Sequence, residues 1–178
     1  MTTIFTHALV GATLVRCLPP TWREKRLYAL AAIGAMLPDL DTITFRLGIP
    51  YASPFGHRGA SHSLVFALIA GLVLATGFYG RDGWHRWLGA SAILAAAVAT
   101  HPLLDACTNG GLGVALFWPF STERFFFSIH PIAVSPIGHR FFSASGLHTL
   151  SSELVWVALP CLALWLILAS YPHSTRKE

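Results

Sequence analysis

Charge is what this chain has least of. Twelve Lys and Arg and eight Asp and Glu make up 11% of 178 residues, against roughly 25% for an ordinary soluble domain. Hydrophobic residues fill 54%, and mean hydropathy is +0.58. So few charges argue against a soluble globule and make a membrane protein the default. The basic excess, with a sequence pI of about 9.3, is scattered singly and forms no Lys/Arg stripe. That argues against nucleic acid as a partner. Cysteine is scarce too: Cys17, Cys107 and Cys161 lie in apolar stretches with no CxxC or paired spacing, so no disulfide framework is indicated. The opening "MTTIFTHALVGATLVRCLPP" lacks a basic n-region and a small-residue cleavage site and carries His7 in its apolar stretch. It reads as part of the mature fold and not as a signal peptide. Internal repeats and low-complexity tracts are also missing.

What is present is a set of apolar runs of about the 20 residues that a bilayer core demands. "SELVWVALPCLALWLILASY" (152–171) is the strongest, and its Pro160 is tolerable if neighbours satisfy the freed carbonyl. "SLVFALIAGLVLATGFYG" (63–80), the Ala-rich "WLGASAILAAAVATHPLLDA" (87–106) and "RLYALAAIGAMLPDLDTITF" (26–45) are further spans. Pro38 should kink or end the last of these. Residues 3–18 make a shorter fifth. The stretch 107–151 has little helical period and reads as an irregular insert, with Trp118, Phe125, Phe126 and Phe127 placed to dip into lipid. The fold class expected is all-α: a polytopic helical membrane protein of about five hydrophobic helices, with an aromatic-rich insert before the last, in one domain over 1–178.

Alternating the connections puts Arg16, Arg23, Lys25, Arg26, Arg81, Arg86, Arg176 and Lys177 on one side. Arg46, Arg58, Arg124 and Arg140 fall on the other. The positive-inside rule makes the first side cytoplasmic. The same alternation carries His7, Asp39, Asp41, His62, His101, Asp105 and Glu153 to the outward side. Ionisable groups at membrane depth are expensive, and a functional site is their default reading. His101 and Asp105, four apart, project from one helix face. "PDLD" sets two carboxylates around a helix end, and His57 and His62 bracket a Gly-containing bend. A lone His is ordinarily a satisfied core residue, and His101 with Asp105 can be a packing hydrogen bond. The whole set together is costly to bury without a cation. Four imidazoles and three carboxylates exceed one tetrahedral site and suffice for two metals roughly 3.5–4 Å apart. Mixed N and O donors favour Zn, with Mn or Fe as options.

The pieces "THALVG" (6–11), "LPDLD" (37–41), "GHRGASHSL" (56–64), "THPLLDACTNGG" (100–111) and "FWPFS" (117–121) resemble the YdjM-like family of membrane-bound, metal-dependent hydrolases. They run through about two-thirds of the chain in the family's order. Ala60 and Ser61 depart mildly from the family's pattern, where Phe or Ile and Thr are common. The resemblance implies an inner-membrane protein with a metal site at His7, Asp39, His57, His62, His101 and Asp105. More distantly, the donor order is similar to that of zinc-dependent phospholipase C, which favours phosphoester chemistry.

The expectation is therefore a multi-pass inner-membrane hydrolase using one or two divalent ions, with its site facing the periplasmic side. The substrate expected is a lipid or lipid-linked phosphoester. Asp41 is then a bridging ligand or an acceptor that orients a His, and Glu153 a ligand or general base. Arg58 either pairs with an acid or, with Asn109, holds substrate. The competing readings are a metal-binding transporter and a non-catalytic membrane protein. A transporter should string polar groups through the membrane depth, whereas here they gather at one end. The sequence leaves the oligomeric state open.

Overall fold

The structure, a computed structural model, describes residues 1–170. Tyr171, Arg176 and Lys177, which entered the span and charge readings above, lie outside the described residues. The described residues are helical with no strand, only two isolated bridges in the insert. Helix α1 is Ile4–Arg16, α2 Lys25–Met36, α3 Ile43–Arg46, α4 Leu64–Tyr79, α5 Trp84–Ala106, α6 Ala144–Glu153 and α7 Leu159–Ser170. Lys25–Arg46, Trp84–Ala106 and Ala144–Ser170 are long and apolar enough to cross a membrane, while Ile4–Arg16 and Leu64–Tyr79 are shorter apolar helices. This is the architecture of a helical membrane protein.

Local chemistry explains the breaks. Pro38 lacks an N–H, so α2 stops at Met36 and the chain tightens into a 3-10 helix over Leu37–Thr42 before α3. That bend buries Asp39 and leaves Leu40 exposed. Helix α4 starts where the Ser63 hydroxyl accepts from Phe66 N at 3.0 Å, a capping bond. A π-helical turn over Leu154–Ala158 joins α6 to α7 just ahead of Pro160, where the i→i−4 ladder loses a donor.

Helix α4 packs along α5 and α1 along α2, with α2 against α5. The contacts are close because the residues are small. A Cβ on Gly71 would sit 2.4 Å from Ala95 N, and one on Gly11 2.5 Å from Ala31 O. In lipid such backbone approach is itself the driving force, since tails are as apolar as Leu. The core is Val15, Leu27, Leu30, Ala31, Ala75, Ala90, Leu94 and Ala97. Leu68, Ile69, Val73, Leu162, Leu166 and Ile167 face outward, as lipid-facing side chains would. The last helix is peripheral: 11% of its most apolar stretch is buried, against 44% and 39% for Lys25–Arg46 and Trp84–Ala106.

The insert is shorter than its sequence implies. Helix begins at Ala144, eight residues before the expected 152, so His148 is helical and not in a loop. The Gly, Ser and His of "ASGLHTLSSE" hide the helical period, and packing supplies what propensity does not. The insert is sewn to the helix ends by backbone bonds: Ala115 N to Arg58 O, Leu64 N to Leu116 O, and Phe127 N to Ala106 O. Phe125 turns inward onto Ala106, Val114 and Leu116. Phe126 and Phe127 remain exposed.

Candidate metal centre

The 3-10 turn after α2, the loop before α4 and the end of α5 converge at one end of the bundle. Asp39, His62, His101 and Asp105 each offer one donor atom, all within 4.8 Å of one another, and all four residues are buried. Asp39, Asp41, His57 and His62 form a second such group, so Asp39 and His62 belong to both. Five of these six residues were expected as metal ligands; Asp41 was expected as a ligand or an orienting acceptor.

Hydrogen bonds fix how the rings point. Nδ1 of His101 lies 2.7 Å from the Ala35 carbonyl, and Nδ1 of His62 lies 3.1 Å from Oδ2 of Asp41. Only N–H groups can sit against those acceptors, which leaves the lone pair of each ring on Nε2. The two Nε2 atoms face each other at 3.1 Å. Around them stand Oδ1 of Asp39, 3.4 Å from the His101 nitrogen, and Oδ2 of Asp105, 3.6 Å from the His62 nitrogen. Both oxygens of Asp39 are buried without a hydrogen-bond partner among the described residues. A buried carboxylate with no donor is strongly unfavourable. Burial opposes charge on His62, yet in the absence of an ion the Asp105 and Asp41 carboxylates outweigh it and raise the pKa to about 9, so Nε2 of that ring then holds a proton that a bound cation would displace. The site draws positive charge, and its two imidazole nitrogens and two carboxylate oxygens fit a tetrahedral divalent ion.

Asp41 acts as a hub. Its Oδ1 accepts from Nδ1 of His57 at 2.6 Å, and its Oδ2 from Arg58 N at 3.1 Å and from the Ser61 hydroxyl. That makes it the acceptor that orients His57 and His62. Aromatic rings of Phe45 and Tyr51 flank His57 at 5.4 and 5.3 Å.

The other expected residues make different contacts. His7 borders the cluster without joining either donor group: it stacks on His101, with ring centroids 3.5 Å apart, and its Nε2 lies 2.5 Å from the Thr2 hydroxyl and 3.6 Å from Oδ1 of Asp105. Arg58 is turned inward. It is wholly buried, with Nε on Asp105 at 3.0 Å, one terminal nitrogen on the Gly110 carbonyl and the other on the Thr108 hydroxyl. Of the two roles open to it, pairing with an acid is the one seen. Its φ of 61° is left-handed, a conformation costing a non-glycine residue roughly 1–2 kcal/mol. The sharpest backbone in "HRGASHS" is thus at the arginine. Asn109 is exposed, and its Oδ1 accepts from Val134 N, away from the cluster. Glu153 is buried but accepts from Thr3 N, the Thr3 hydroxyl and the Thr6 hydroxyl. It anchors the first turn of α1 and belongs to neither donor group.

Sequence reasoning missed the residues that brace the site. Thr2 donates its N–H to Oδ1 of Asp105 at 2.8 Å. Arg124 donates to the carbonyls of Tyr51, Ser53 and His57, holding the loop that carries His57. "MTTIFT", three hydroxyls at the head of an apolar helix, was a legible signal for the first; an arginine in an irregular insert offered none for the second.

The model of the YdjM inner membrane protein family matches residues 1–175. The chain belongs to that family. It is 40% identical over 170 residues to the inner membrane protein YbcI of Escherichia coli, covering 92% of this chain and 95% of that one. It is 36% identical over 98 residues to the inner membrane protein YdjM of E. coli, and 32% identical over 91 residues to the uncharacterized protein YvsG of Bacillus subtilis. These alignments cover 50% and 47% of this chain, and 47% and 52% of those relatives. No solved structure matches.

Proposed function

We propose that this protein is a membrane-bound, metal-dependent hydrolase acting on a phosphoester of a lipid or lipid-linked substrate. The observation that carries the reading is the pair of facing Nε2 lone pairs beside the partnerless Asp39 carboxylate. Asp39, His62, His101 and Asp105 would hold a divalent ion, Zn by the mixed donor set, and the second group leaves room for another. Such an ion supplies Lewis acidity at a phosphoryl oxygen and acidifies water. The chain's own residues do the rest. Arg58 and Thr2 fix Asp105. Asp41 holds Nδ1 of His57, leaving Nε2 of that ring to accept a proton or to bind. Glu153 secures α1, which places His7 against His101.

Transport is the weaker reading because buried ionisable groups gather at this end, while the core beyond is Leu27, Leu30, Leu94 and Ala97. The basic residues Arg16, Arg23, Lys25, Arg26, Arg81 and Arg86 lie toward the opposite end, which by the positive-inside rule supports a site on the periplasmic face.

The test is metal analysis of the detergent-purified protein, then a phospholipid panel. Metal-dependent turnover that His101→Ala abolishes is the expected result. A protein that holds no metal and keeps its activity with alanine at both His57 and His101 overturns the reading.

A further inference from the structure

Two adjoining cavities of about 430 and 550 Å³ meet at Asp39 and share Ile4, Thr42, Ile137 and Gly138. These are ligand-sized volumes. Phe5 and Phe142 lie on the first, 69% and 90% exposed. Arg46 lies on the second, exposed and with no hydrogen bond or ion pair among the described residues. It is the only cationic side chain on either cavity's wall among those residues. Arg58, by contrast, is closed inside. Asp39 of the donor cluster therefore lines an apolar groove whose only other charged side chain among the described residues is an unpaired guanidinium. A soluble phosphate would find the cation here but would have no use for the aromatic rim. An acyl chain alone would have no use for the arginine.

We propose that this groove seats a phosphate-headgroup lipid, with Arg46 gripping the phosphate oxygens through its planar fork and the acyl chain lying along Ile4, Phe5 and Phe142. Substrate enters laterally between α1 and the Gly138–Phe142 turn, and its phosphoester reaches the donor cluster from the Asp39 side. The presentation step rests on the hydrolase reading, but lipid binding does not.

The experiment is binding of a fluorescent phosphatidate to the full chain in phosphatidylcholine nanodiscs, with unlabelled phosphatidate and inorganic phosphate as competitors. Arg46→Gln should weaken the probe about tenfold, the scale of one charge-assisted contact. Phe142→Gln, at a side chain too exposed to matter for folding, should weaken it about threefold. Metal content should be unchanged in both, and inorganic phosphate should fail to displace the probe. Parental affinity in Arg46→Gln overturns the seat, as does displacement by inorganic phosphate as effective as that by phosphatidate. Arg46-dependent binding without turnover of any lipid would keep the groove and sink the hydrolase. Metal-dependent turnover indifferent to Arg46→Gln would do the reverse.

Discussion

At the end of the bundle where α1 leads into α2 and α4 into α5, Glu24 accepts from the Tyr79 hydroxyl at 2.6 Å and from Arg86 at 3.0 Å. Arg26 pairs there with Asp82 and lies over the Tyr79 ring, and Arg86 covers Trp22. Every charge in that cluster has an opposite charge or a ring, and all are partly open to solvent. At the other end Asp39, His62, His101 and Asp105 are almost fully buried, and Asp39 has no donor among the described residues. Both ends gather acidic side chains with potential partners. The first is complete in itself and needs nothing more than water. The second is short of positive charge around buried carboxylate oxygens. That shortage, and not the presence of His and Asp, is what marks a binding site.

Substitutions at the two ends can break this contrast. The largest effect belongs to the donor cluster. His101→Ala should remove the metal and lower turnover by at least about 100-fold, read by elemental analysis and lipid hydrolysis. Asp39→Asn should also lose the metal, yet the metal-free variant should unfold no more easily than the metal-free parent. A large destabilisation would show that Asp39 is satisfied after all. Next comes Arg58→Ala, which strands Asp105 and should cost about 3–5 kcal/mol in reversible unfolding in detergent. If it costs no more than Arg86→Gln at the exposed end, the contrast in burial carries no energy. Glu153→Gln should cost about 1–3 kcal/mol, since one oxygen cannot serve three donors, with metal content intact. Metal loss in that variant would return Glu153 to the ligand set.

The smallest effects lie at the exposed end. Arg86→Gln should cost about 0.5 kcal/mol. Slight burial pushes the Glu24 carboxyl up, but hydrogen bonds from Tyr79 and Arg86 pull it below the ordinary 4.5. A folded pKa below the unfolded one stabilises above that value and is lost as pH falls beneath it. The parent should therefore lose slightly more Tm than Glu24→Gln as pH drops below about 4.5. Equal losses would remove Glu24 from the network.

Much of this was legible in the residues. Apolar run lengths announced five helices, and Pro38 announced the break beside Asp39, because hydropathy and a missing N–H act locally. The i,i+4 spacing of His101 and Asp105 put both on one face by helix geometry alone. The extent of the last helix was not legible, because "ASGLHTLSSE" carries weak propensity and is held by packing.

The sequence by itself determined that the chain is a helical membrane protein and that its costly polar groups share one end, since burial of charge and helix period are properties of residues and spacing. Only the tertiary structure decided the roles. Arg58, Glu153 and Asn109 were all plausible against a substrate, and the fold turned the first onto Asp105, the second onto Thr3 and Thr6, and the third onto the backbone of Val134. Arg46, one exposed arginine among several in the sequence, became the cation beside the groove. A role depends on which partner a side chain reaches, and partners that lie 47 or 150 residues away are fixed only when helices pack.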